Sequence, residues 1–72
     1  MSSRTLFIDR RKQLRFNQSQ LARVSGVLRT RICLFEIGDL ELTREELDLI
    51  DQALRQEAKR IREVEKEMAR SA

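Results

Sequence analysis

In the stretch SQLARVSGVLRTRI, residues 19–32, a glycine interrupts a helical run. Ala22 stands four residues before Gly26, and Ile32 stands six after it. Two short helices joined by so tight a turn must cross steeply, so their backbones approach until little more than a methyl and a hydrogen fit between them. The inward residue of the first helix must then be small, which Ala22 satisfies, and the turn must tolerate a positive φ, which Gly26 satisfies. Leu21, Val27, Ile32 and Phe35 are expected to point inward. The segment LRTR after the glycine is polar and cationic apart from Leu28, and is expected to point outward. This is the physical content of a helix–turn–helix unit, which needs further helices to cover its apolar side.

The boundaries of those helices follow from local chemistry. Asn17 is a good N-cap with Gln20 three residues on, a capping box that opens a second helix over about 18–24. A third helix is expected over about 28–36, stopped by Gly38. Upstream, Phe7, Arg11 and Leu14 fall at helical spacing, placing a first helix over 6–15 and leaving 1–5 as a loose, flexible arm. Downstream, Thr43 and Glu46 in TREE form a second capping box, and Glu45 and Glu46 complement the helix dipole there. From Thr43 no breaker appears until near the C-terminus, so a fourth helix of about 28 residues, ~42 Å long, is expected. With no proline and only two glycines in 72 residues, the chain reads as all-α. It forms one small domain over 6–54 with a helical extension over 55–72, and a chain of this length buries only about 60% of its unfolded surface.

Charge is distributed unevenly. Residues 1–35 hold Arg4, Arg10, Arg11, Lys12, Arg15, Arg23, Arg29 and Arg31 against Asp9 alone, a balance of +7; residues 36–72 hold seven basic and eleven acidic residues, a balance of −4. A basic front half is the electrostatic footprint of a polyanion binder. Enzymatic function is not expected: there is no histidine, no glycine-rich phosphate loop, no metal-ligand cluster, and one cysteine without a base to activate it. No cofactor or metal is implied. Cys33 cannot staple the chain and is expected as a small, half-buried side chain. No stretch approaches the ~20 apolar residues of a membrane span, and MSSRTLFIDRRK lacks the apolar core of a secretory signal, so the expected location is cytoplasmic and away from membranes.

The run LRFNQSQLARVSGVLRTRICLFEIG, positions 14–38, resembles the DNA-binding helix–turn–helix of the phage Cro/cI repressor-type family. The helix after it, ELDLIDQAL at 46–54, follows that family's habit, and the likeness covers about residues 6–54. The resemblance implies a compact lambda-repressor-like bundle of four helices, the fourth long and extended. It also implies a sequence-specific regulator of transcription that places its third helix in the major groove of double-stranded DNA.

Residue by residue, the resemblance makes Ala22, Gly26, Ile32 and Glu36 the structural landmarks of the unit. It puts Arg29 and Thr30, with Cys33 and Leu34 further along, on the base-reading face. Arginine grips guanine O6 and N7 with two hydrogen bonds, and threonine offers a hydroxyl or a methyl. Gln18 matches the family's phosphate-clamping glutamine, and Asn17 beside it leaves amides at a helix N-terminus, an anion site. Arg31 is placed for phosphate. Arg11 matches the partner of Glu36 in a pair that ties the first helix to the third and leaves the arginine near a phosphate. Arg10, Lys12, Arg15 and Arg44 are further backbone candidates. The chain departs from the family at Leu28, where a Ser or Thr cap is frequent, at Arg15, where a glycine is frequent, and in the acidic DLEL at 39–42.

Beyond Leu54 the resemblance fades. Leu47, Leu54, Ile61 and Met68 are seven apart, with Ile50 and Val64 between them and Glu57 as the flaw in a heptad stripe. Ile61, Val64 and Met68 are expected to pair with a second copy, giving a homodimer on a palindromic operator. The alternative is a protein-interaction or antitoxin-like module whose long last helix binds a different protein.

Overall fold

The structure, a computed structural model, describes residues 3–71. Four helices follow in order: α1 Ser3–Gln13, α2 Gln18–Ser25, α3 Arg29–Ile37 and α4 Arg44–Ser71. No strand occurs among the described residues. The helix count and the long last helix match the expectation of an all-α chain.

The ends of the helices show why the chain breaks where it does. α1 begins three residues before the expected Leu6, so Ser3, Arg4 and Thr5 are helical rather than part of a loose arm; Met1 and Ser2 of that expected arm lie outside the described residues. α1 also ends two residues early. Arg15 takes φ 55, its N–H bonds the Lys12 carbonyl at 2.9 Å, and the Phe16 N–H bonds the Arg11 carbonyl at 3.1 Å. Those two bonds make a Schellman stop with arginine at the left-handed position usually held by glycine.

α2 opens on the expected capping box. The Asn17 side chain accepts from the Gln20 N–H at 2.7 Å, and the Gln20 side chain accepts from the Asn17 N–H at 3.0 Å. It closes at Gly26, φ 81, whose N–H bonds the Ala22 carbonyl. The buried Ser25 hydroxyl accepts from the Val27 N–H at 3.2 Å and so fixes the turn into α3. A side chain at Gly26 would meet nothing within 4 Å. Gly26 is therefore required by its backbone angle, as expected, and the space beside it is open rather than closed by a near approach of the helices. Ala22 is half-buried and packs on the core.

The core draws on every helix. Phe7, Phe16, Leu21, Val27, Ile32, Phe35, Leu42, Ile50, Ala53 and Leu54 are buried, and Leu21 and Ile32 are fully so. α2 packs on α3 and α4, and α1 packs on α3. The buried residues of α4 end at Leu54, and every residue from Arg62 to Arg70 is exposed, which accounts for the 47 × 25 × 18 Å extents. Among the described residues, no helix is long and apolar enough to cross a membrane.

Candidate functional site

The outer face of α3 carries the expected base-reading set. Arg29 and Thr30 are exposed in its first turn, Cys33 and Leu34 are half-buried one turn on, and the four line one depression of about 200 Å³. Ile32 and Phe35, on the opposite side of the helix, are buried. Leu28 precedes the helix as its cap residue and makes no side-chain cap bond, so the N-terminal amides of α3 are left without a side-chain acceptor.

Behind that face Glu36 is a hub. Its carboxylate accepts from Arg11 Nε at 2.7 Å, Arg11 Nη2 at 2.8 Å and Gln18 Nε2 at 3.1 Å. Arg11 also donates from Nη1 to the Phe16 carbonyl at 2.9 Å. The Arg11 and Glu36 side chains are only 11% and 8% exposed. One ion pair thus joins α1, the α1–α2 loop, the start of α2 and the end of α3. A bidentate arginine–carboxylate pair fixes orientation as well as distance. Gln18 stands at the start of α2 but directs its amide into this hub, and Asn17 beside it is occupied as the cap.

Several cations expected on a phosphate backbone are engaged elsewhere. Arg31 donates to both oxygens of Glu46 at 2.5 and 2.7 Å, tying α3 to the first turn of α4. Hydrogen bonding from Arg31, and next from the Thr43 backbone N–H, lowers the Glu46 carboxyl from its ordinary 4.5 to about 2; the same contact raises Arg31. Arg10 donates to Asp51 of α4 at 2.9 Å, and Arg55 pairs with the other oxygen of that carboxylate. Arg10, Arg11 and Arg31 thus each hold a carboxylate of the acidic half of the chain, and for Arg11 this is the expected tie to Glu36. Three cations of the basic front half are paired with the acidic back half across the helices, which charge counting along the sequence does not anticipate.

The cations left exposed without an ion-pair partner among the described residues include Lys12, Arg15, Arg23, Arg29 and Arg44. Arg23, exposed on α2, was not singled out from the sequence, although its position two residues past the inward Leu21 puts it on the opposite side of the helix. Arg4 was also missed. Its Nε donates to the Phe35 carbonyl at 2.6 Å. The signal was present as a seven-residue spacing to Arg11 with Phe7 between them.

On α4, Ile61 is half-buried, while Val64 is 43% and Met68 68% exposed. The flaw in the stripe is covered locally: Glu57 is held by Arg60 one turn on, which lowers its carboxyl below the usual range, and Ala58 beside it is half-buried. Among the described residues no cluster of three or more His, Cys, Asp or Glu side chains is arranged to hold a metal ion. Compared with known proteins, the chain has no match to a family model, a curated protein or a solved structure.

Proposed function

We propose that this chain is a sequence-specific double-stranded DNA-binding regulator of transcription with a lambda-repressor-like arrangement, α2 and α3 forming its helix–turn–helix and α3 entering the major groove. The observation that carries this is the two-sided character of α3: Arg29, Thr30, Cys33 and Leu34 share an open outer surface, while Ile32, Phe35 and the Arg11–Glu36 pair hold the helix from behind. A reading helix needs that combination of an accessible polar edge and a rigid back. Lys12, Arg15, Arg23 and Arg44 supply exposed charge for phosphates, and the uncapped amides at the start of α3 suit an anion. Ile61, Val64 and Met68 pair two copies on a palindromic site.

Selection from a pool of randomised duplexes, followed by gel shifts, tests this. An enriched, symmetric sequence is expected, with log affinity falling linearly against log salt as bound cations displace counterions. Arg29→Ala is expected to lower affinity for that sequence by about 1–3 kcal/mol and to relax preference at one base pair. Equal binding to every duplex would end the proposal.

The exposure of Val64 and Met68 on a helix that outruns its own domain favours one second reading, a protein-interaction module that presents α4 to a different chain. Salt-insensitive behaviour toward DNA together with a stable complex with an unrelated protein distinguishes it.

A further inference from the structure

Arg4, Phe7 and Arg11 lie three and seven residues apart on α1 and so share one face. All three close on the last turn of α3. Arg4 donates from Nε to the Phe35 carbonyl at 2.6 Å, and its guanidinium carbon lies 5.3 Å from the centroid of the Phe35 ring. The Phe7 ring meets the same ring edge-on at 5.4 Å. Arg11 holds Glu36, the next residue. Arg4 Nη1 would also lie 3.8 Å from a Cβ built on Gly38, the residue that stops α3. A guanidinium there adds a second donor to the Phe35 carbonyl, which also accepts the Gly38 N–H at 3.2 Å, and lies at the negative end of the helix dipole. The opposite end of α3 is held differently: Leu28 provides no side-chain cap, and Arg31 in the first turn fastens to Glu46 of α4 instead.

We propose that Arg4 is a positioning residue for recognition by α3: it sets the tilt of that helix against α1, and hence where Arg29 and Thr30 meet a duplex, without touching the duplex itself. This rests on the DNA-binding function proposed above. Phe35 and Arg29 are six residues apart, ~9 Å of helix rise. A tilt of ~10° at the C-terminal end therefore carries Arg29 by ~1.5 Å, beyond the ~0.5 Å within which a preorganised contact must be held. Lysine is no substitute, because it keeps the charge but loses the planar fork that both donates to the carbonyl and stacks on the ring.

Two measurements on the full chain, wild type against Arg4→Gln and Arg4→Lys, test the role. The first needs no DNA. Amide hydrogen exchange is expected to quicken about tenfold over the last turn of α3 and at Gly38 and Asp39, while Leu54 and its neighbours on α4 keep their rates. Unchanged exchange over that turn overturns the proposal whatever the chain binds. The second uses the duplex recovered by selection and a scrambled duplex of the same length. Both variants are expected to lose about tenfold in the ratio of the two affinities, with the slope of log affinity against log salt unchanged. A slope smaller by about one means that Arg4 neutralises a phosphate directly, and overturns the positioning role. A preference left intact in both variants overturns it while DNA recognition stands. A wild type without preference for any duplex overturns DNA recognition and this proposal with it. Arg4→Lys retains the positive charge at the helix end, so the salt slope is diagnostic in Arg4→Gln, while Arg4→Lys carries the exchange rates and the affinity ratio should Arg4→Gln fail to fold.

Discussion

Single side chains in this molecule are committed to partners on other helices, and their protonation makes that commitment measurable. Glu46 serves two neighbours: it completes the capping box with Thr43, accepting the Thr43 N–H at 3.0 Å, and it receives both nitrogens of Arg31. Its carboxyl is lowered from 4.5 to about 2 by Arg31 first and the Thr43 backbone second. A lowered carboxyl stabilises the fold wherever it is ionised in the native state and would be less ionised, or unpaired, in the unfolded chain. Its contribution is therefore complete above the ordinary carboxylate range and is lost as the pH falls from 4.5 toward about 2. Glu46→Gln preserves the capping box, since glutamine fills that role, but gives up the charge. The thermal midpoints of wild type and Glu46→Gln, followed by circular dichroism, are expected to differ at neutral pH, to converge through that acid window and to coincide below it. A difference that persists unchanged below pH 2 would assign the effect to packing rather than to the ion pair.

Elements show where sequence is a sufficient guide to this fold and where it is not. The starts of α2 and α4 are legible because each is decided within four residues, by Asn17 with Gln20 and by Thr43 with Glu46. The stops at Gly26 and Gly38 are legible for the same reason: both have positive φ, which glycine alone adopts without strain. The start of α1 is not, because the contact that engages its first turn, Arg4 on the Phe35 carbonyl, spans 31 residues. Nor are the pairs of Arg10 with Asp51 and of Arg31 with Glu46, 41 and 15 residues apart, which redirect cations that charge counting leaves available to a polyanion. The end of α1 is a third case. Its Schellman stop is complete in hydrogen bonds, yet an arginine stands at φ 55 where glycine would be relaxed. Arg15→Gly is accordingly expected to stabilise the chain by about 1 kcal/mol in urea unfolding, since it removes a left-handed strain without removing an ion pair. The same substitution removes one of the exposed cations proposed for phosphate. Stability up and the salt slope of DNA binding down is the paired outcome expected, and a destabilised Arg15→Gly would show that the arginine side chain holds a contact that outweighs its backbone strain.

The whole molecule divides at about Leu54 into a part that is buried by its own helices and a part that is not. Among the described residues, all ten buried apolar side chains lie between Phe7 and Leu54, whereas Val64 and Met68 continue the apolar stripe of α4 into the open. The fold and the proposed assembly are thus separable along the sequence. A chain ending at Gln56 keeps the entire core and the Arg11–Glu36 and Arg31–Glu46 pairs, and loses only Glu57, Ala58 and Ile61 among half-buried side chains. It is expected to melt cooperatively as a folded monomer, while the full chain sediments as a dimer at tens of micromolar. Three apolar residues per chain bury less than the ~1,200 Å² at which stable interfaces begin, so the dimer is expected to be weak and its sedimentation to depend on concentration. Under the proposed DNA binding, the duplex would supply the remaining association energy, because two copies held on adjacent half-sites about one helical turn apart would meet at an effective concentration far above that in free solution. The shortened chain should then shift a full palindrome in two independent steps where the full chain shifts it in one cooperative step. Identical sedimentation of both chains as monomers, together with identical stepwise shifts, would assign the tail of α4 to something other than a second copy of itself.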